Sequence, residues 1–138
     1  MGLPTTSEIV DDLEFLDDWE QRYQYIIDLG KQLPRLPSEL KQDEFKVRGC
    51  QSTVWLISEK LNDGRLHFQV ESDAIIVQGL LALVLAAYNN KFAEEIREFD
   101  IDGYFTELDL ERHISPTRGN GLRAIVAAIQ QQAANEAR

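Results

Sequence analysis

The stretch Arg48-Gly49-Cys50-Gln51-Ser52-Thr53-Val54-Trp55-Leu56-Ile57 decides the fold, because a loop turns into a strand inside it. Val54 to Ile57 is a β-branched and aromatic run of the kind that favours a pleated, half-buried surface. Asn62-Asp63-Gly64 follows as a hairpin turn signal. Leu66, Phe68 and Val70 then alternate with Arg65, His67, Gln69 and Glu71, the period-2 mark of a strand with one buried and one wet face. On this reading His67 and Glu71 are solvated, and the first strand is buried over more of its surface than the second. The same stretch carries Cys50, the one cysteine among 138 residues. Two readings of it stand: a reactive thiol on a loop tip, with Arg48 as the near cation that favours a thiolate, or a small packed residue.

Working outward, the N-terminal side reads as two amphipathic helices. Thr5 and Glu8 fit a capping box ahead of Ile9, Leu13 and Leu16. Asp17 and Glu20 form a second start signal. Trp19, Tyr23, Ile26 and Ile27 then make one stripe, read as core. Pro34 and Pro37 end that helix. Residues 34–47 read as irregular, with one helical turn at Ser38-Glu39-Leu40-Lys41.

On the C-terminal side, Ser72-Asp73 reads as the cap of a helix from Ala74 to about Tyr88. That helix is apolar nearly all round, which predicts the central buried helix, and Gly79 predicts close packing within it. Asn89-Asn90 ends it. Phe92, Ile96 and Phe99 mark a shorter helix, and Asp100-Ile101-Asp102-Gly103 reads as a break before another at Tyr104, Phe105 and Leu108. Ser115 as cap and Pro116 at the first position start the last helix, with Leu122, Ile125, Val126 and Ile129 on one face. Residues 130–138 are expected to fray. The expected architecture is α+β: one domain over residues 1–138, with a small antiparallel sheet (a hairpin around residues 53–71) packed against several helices.

Composition narrows the function. A net charge of −10 argues against a nucleic-acid binder, which needs a basic surface for phosphates. One cysteine excludes an intrachain disulfide, a CxxC pair and an all-Cys metal site within one chain. The N-terminus lacks the features of a secretory signal, and the most apolar stretch is shorter than the ~20 residues of a membrane span. A cytoplasmic location is therefore expected. Neither phosphate-loop pattern, nor HExxH, nor GxSxG occurs. Cys50 and His113 could form a Cys–His hydrolase pair if the fold brought them together. A lone thiol has another use: it can take a sulfur from another protein's cysteine and hold it for an external thiol, as a carrier must.

Several stretches, taken together, resemble the SufE family of sulfur acceptors, including the similar CsdE branch. They are Asp18-Trp19-Glu20 with Tyr23, Tyr25-Ile26-Ile27, Leu29-Gly30, Leu33-Pro34 and Val47-Arg48-Gly49-Cys50-Gln51-Ser52 with Val54-Trp55. Ser72-Asp73-Ala74-Ile75-Ile76-Val77, Gly79-Leu80, His113-Ile114-Ser115-Pro116-Thr117-Arg118 and Gly121-Leu122 complete them. The resemblance implies an α+β fold similar to the IscU-type scaffold. It implies a chain that receives sulfane sulfur as a persulfide on Cys50 from a pyridoxal-phosphate cysteine desulfurase and stimulates that enzyme. The sulfur would pass to downstream iron–sulfur scaffold proteins for cluster assembly. Arg48, Gly49, Gln51, Asp73 and Arg118 would support Cys50 or dock the partner. The pyridoxal phosphate would belong to the desulfurase, so this chain is expected to carry no cofactor and no metal. Two alternatives are an IscU-like scaffold that holds a cluster, disfavoured by the single cysteine, and a noncatalytic binding module.

Overall fold

The computed structural model describes residues 3–50 and 52–136. Two helices come first, α1 (Thr6–Glu14) and α2 (Trp19–Lys31). The Thr5–Glu8 capping box forms: the Glu8 amide donates to Thr5 Oγ1 at 3.1 Å and the Thr5 amide to Glu8 Oε1 at 2.9 Å. The cap of α2 is Asp18 rather than the expected Asp17; its carboxylate accepts from the Gln21 amide at 2.9 Å, the N3 amide one residue beyond the one counted from Asp17. Along the α2 stripe Ile26 is fully buried, whereas Trp19, Tyr23 and Ile27 are half-buried.

The hairpin is β1 (Val54–Lys60) paired antiparallel with β2 (Leu66–Ser72), in the register Val54 with Ser72 through Lys60 with Leu66. Gly64 holds a φ of +95° in the turn, a conformation that favours glycine. The expected order of burial is reversed. β2 is the more buried strand because it packs on α3, while in β1 only Val54 reaches full burial.

α3 (Ile75–Tyr88) is the central helix, buried from Gly79 to Leu85 and again at Ala87 and Tyr88. It crosses α2 where two glycines meet. A methyl group on Gly79 would lie 2.5 Å from the Ile26 carbonyl oxygen, and one on Gly30 2.7 Å from the Gly79 amide nitrogen. Ser72-Asp73 does not cap α3 as expected. Ser72 is still paired in β2, so its side chain instead closes a short turn, accepting from the Ala74 amide at 3.2 Å.

α4 (Ala93–Glu98) and α5 (Ile101–Glu107) follow. Asp100, read as part of a break, caps α5 through the Gly103 amide at 3.0 Å. α6 (Pro116–Glu136) opens as expected, with Ser115 Oγ accepting from the Arg118 amide at 3.2 Å. It does not fray from residue 130: Ala133 is buried and Gln130 donates to the Tyr88 hydroxyl at 2.9 Å. No helix is long and apolar enough to cross a membrane among the described residues.

Residues 34–47 contain two short 3-10 turns, Ser38–Leu40 and Asp43–Phe45; the stretch from Arg35 to Lys41 meets the face of the hairpin that the alternation marked as wet, and Lys46 then bridges to Trp55 at the edge of β1. Glu71 is the reason for the first contact. It is 4% exposed, and its carboxylate accepts from the Leu36 amide at 2.8 Å and pairs with Lys41 at 2.7 Å and Arg35 at 3.7 Å. Burial alone would raise its pKa, but Lys41, the Leu36 amide and Arg35 outweigh it and hold the carboxyl below its usual range. His67, on the same face, is half-buried against Asn90, with Nδ1 2.8 Å from its Oδ1.

Candidate functional site

After the Val47 amide donates to the Val54 carbonyl at 2.9 Å, the chain turns out and back through the cysteine loop. Gly49 carries a φ of +94°, which an L side chain adopts only with strain. That turn sets Cys50 against the early turns of α6. The thiol is half-buried and its Sγ lies 3.5 Å from the Gly121 carbonyl oxygen, a weak S–H bond. Gly121 lies in contact with it: a methyl group there would sit at ordinary packing distance, 3.6 Å, from Sγ.

A cavity of about 340 Å³ opens at the thiol. The loop supplies Cys50 and Ser52, α3 supplies Val77 and Leu80, and the start of α6 supplies Ser115, Thr117, Arg118, Gly121, Leu122 and Ile125. Arg118 is the charged side chain among them. Two opposing influences meet here. Burial pushes the Cys50 thiol up from its ordinary pKa, so the neutral form dominates at rest. Arg118 and the positive end of α6 stand at the same cavity and favour an anion once one forms. A neutral thiol in a cavity that also holds apolar side chains and an arginine can shelter an anionic sulfur species.

Of the residues singled out in the sequence, the structure brings Cys50, Gly49 and Arg118 together. Arg48 is exposed and lines a different groove, with Lys46, Leu56 and Ala124. Asp73 is also exposed, and lines a cavity of about 450 Å³ with Trp55, Glu71 and Ile75. Gln51 lies outside the described residues. His113 is not among the lining residues of the thiol cavity; its ring stacks on Trp19, with centroids 3.8 Å apart. The Cys–His hydrolase pair therefore does not assemble. Of the cavity's lining, sequence reasoning named Cys50 and Arg118 and missed Ser52, Val77 and Leu80 as well as the α6 wall around Thr117, Gly121 and Ile125. The signal for the α6 wall was available: Thr117, Gly121 and Ile125 stand four residues apart, which places them on one face. Among the described residues no group of three His, Cys, Asp or Glu side chains converges as a metal ion would require.

Residues 7–133 match the SufE family, described as the Fe-S metabolism associated domain. An uncharacterized SufE-like protein of Rhizobium meliloti (strain 1021) is 43% identical over 134 residues, covering 95% of this chain and 96% of that one. A second, from Rhizobium etli, is 44% identical over 134 residues, covering 95% and 90%. In structure the chain is similar to a hypothetical protein from Thermus thermophilus, solved in solution. The TM-score is 0.77 at 20% identity, over 99% of this chain and 98% of that one.

Proposed function

This chain belongs to the SufE family, a domain associated with Fe-S metabolism, and from that premise we propose that Cys50 is a sulfur acceptor serving a cysteine desulfurase. The donor is the persulfide on the desulfurase's own cysteine. The Cys50 thiol gives up its proton and its sulfur attacks the outer, sulfane sulfur of that persulfide. One S–S bond forms on Cys50 as the donor's S–S bond breaks, and the donor cysteine leaves as a thiolate that takes up a proton. No electrons are gained or lost overall. Pyridoxal phosphate stays with the desulfurase, which this chain stimulates by clearing its persulfide. The sulfur then passes to an iron–sulfur scaffold protein for cluster assembly.

The observation that supports this reading is the placement of the single thiol: half-buried on a glycine-turned loop, at a cavity with Arg118 at its wall. A persulfide held there is shielded from small thiols and oxidants, which would otherwise strip or oxidise it. Transfer needs the loop to swing out toward the partner, and the weak S–H bond at 3.5 Å is little to break. Mixing the chain with a cysteine desulfurase and cysteine is expected to add about 32 Da, one sulfur atom, to its intact mass. Cys50→Ser is expected to gain nothing. A wild-type chain that never gains the mass, or a serine variant that does, overturns the reading.

A further inference from the structure

Two stretches noted in the sequence take no part in the thiol cavity: Asp18-Trp19-Glu20 with Tyr23, and His113-Ile114. In the fold they meet. The Trp19 and His113 rings stack with centroids 3.8 Å apart and planes 20° from parallel. Tyr23 packs edge-on against Trp19 at 5.6 Å, and its hydroxyl donates to the His113 carbonyl, 90 residues away in sequence.

The position of this contact gives it meaning. His113 follows Asp109, a non-glycine residue with a φ of +57°, and a single 3-10 turn, Leu110–Arg112. The His113 and Ile114 amides share one acceptor, the Leu110 carbonyl. Backbone bonds and the buried Leu110 hold the start of this short link, and at its far end the Tyr23 hydroxyl supplies a partner for the His113 carbonyl. Two residues later Ser115 caps α6, and the turns it opens place Ser115, Thr117, Arg118 and Gly121 around the Cys50 thiol. The other end of the connection is firm, because α2 is locked onto α3 at Gly30 and Gly79. We propose that Trp19 and Tyr23 are positioning residues: by gripping His113 from α2 they fix the first turns of α6 against Cys50 and set how sheltered the thiol is. Its consequence for sulfur transfer rests on the acceptor reading above; the grip itself does not.

The test is the pH profile of Cys50 alkylation by iodoacetamide on the free protein, with the melting temperature measured alongside. Tyr23→Phe removes one hydroxyl and leaves the ring packing. It is expected to raise the alkylation rate at neutral pH about fivefold, the worth of one hydrogen bond expressed as a rate, and to move the profile toward lower pH. Tyr25→Phe is the control, since Tyr25 lies on the same helix and its hydroxyl donates to Asp12 at 2.7 Å, outside the cavity. It is expected to leave the profile in place. Trp19→Phe, which keeps an aromatic face for His113, is expected to stay nearer the parent than Trp19→Ala. A Tyr23→Phe profile that superposes on the parent overturns the proposal, and so does a Tyr25→Phe shift of equal size. Because alkylation needs no desulfurase, the two readings fail separately. A shifted profile in a chain that accepts no sulfur retains the grip and removes the acceptor.

Discussion

Residues 34–47 and residues 48–50 lead one into the other, yet they are held by different forces. The first segment is nailed down by Glu71, which meets an amide, a lysine and an arginine at once, all beside a buried strand. Among the described residues, the second turns at a glycine and rests through Cys50 on the core and on α6, where Sγ makes a weak contact with the Gly121 carbonyl. Among the described residues, the backbone pairing of the first segment runs to Val47 with Val54, and the thiol-bearing tip beyond it rests on packing and a weak S–H bond. The contrast teaches that the protein spends rigidity on where the loop starts and not on where the thiol sits.

Three substitutions test this difference. The largest effect belongs to the firm side. Gly79→Ala drives a methyl group to 2.5 Å from the Ile26 carbonyl, against backbone that cannot yield without parting α2 from α3. The expected cost is about 3 kcal/mol or more, read as a lower denaturation midpoint. Glu71→Gln comes next, at about 2 kcal/mol, since the amide keeps the shape but loses the pairing with Lys41. Its sign with pH follows from the lowered pKa in the folded state. The carboxylate's contribution is fully present at neutral pH, above the unfolded pKa, and is lost as pH falls through the folded value. The wild-type advantage over Glu71→Gln is therefore expected to shrink in acid, and stability curves at several pH values check it. Gly49→Ala is the smallest, about 1 kcal/mol for strain at positive φ. The added methyl group meets Ala124 at 3.2 Å, so the loop should shift off α6. Faster thiol labelling with a melting point lowered by only about 3 °C is the expected pattern, against the large loss of stability in Gly79→Ala.

Local chemistry was legible in the sequence and distant chemistry was not. The Thr5 box and the Ser115 cap span three residues, and the hairpin is marked by its own alternation and turn, so each could be read in place. Gly79 was legible because a glycine in so apolar a helix has few purposes other than close approach. Glu71 misled because alternation assigns it to a wet face, and what covers that face is an irregular segment some thirty residues earlier. The Trp19–Tyr23 stripe misled for the same reason: helical spacing shows which side is apolar, not that a loop ninety residues on will lie against it. Cys50 and Arg118 were paired only through a family resemblance. The structure places both at one cavity and puts Asp73 at another.

The wall that α6 supplies has a consequence for the order of synthesis. Cys50 and Gly121 lie 71 positions apart, and the cavity's far side extends to Ile125. A chain still emerging from the ribosome exposes its cysteine long before the residues that cover it exist. The hairpin and the α2–α3 crossing use segments made earlier, whereas one wall of the thiol's cavity waits for the last helix. A chain ending before residue 115 lacks Ser115, Thr117, Arg118, Gly121, Leu122 and Ile125, the α6 wall of the cavity, and leaves the thiol open on that side. Completion of α6 is thus also the step that closes one side of the cysteine's cavity.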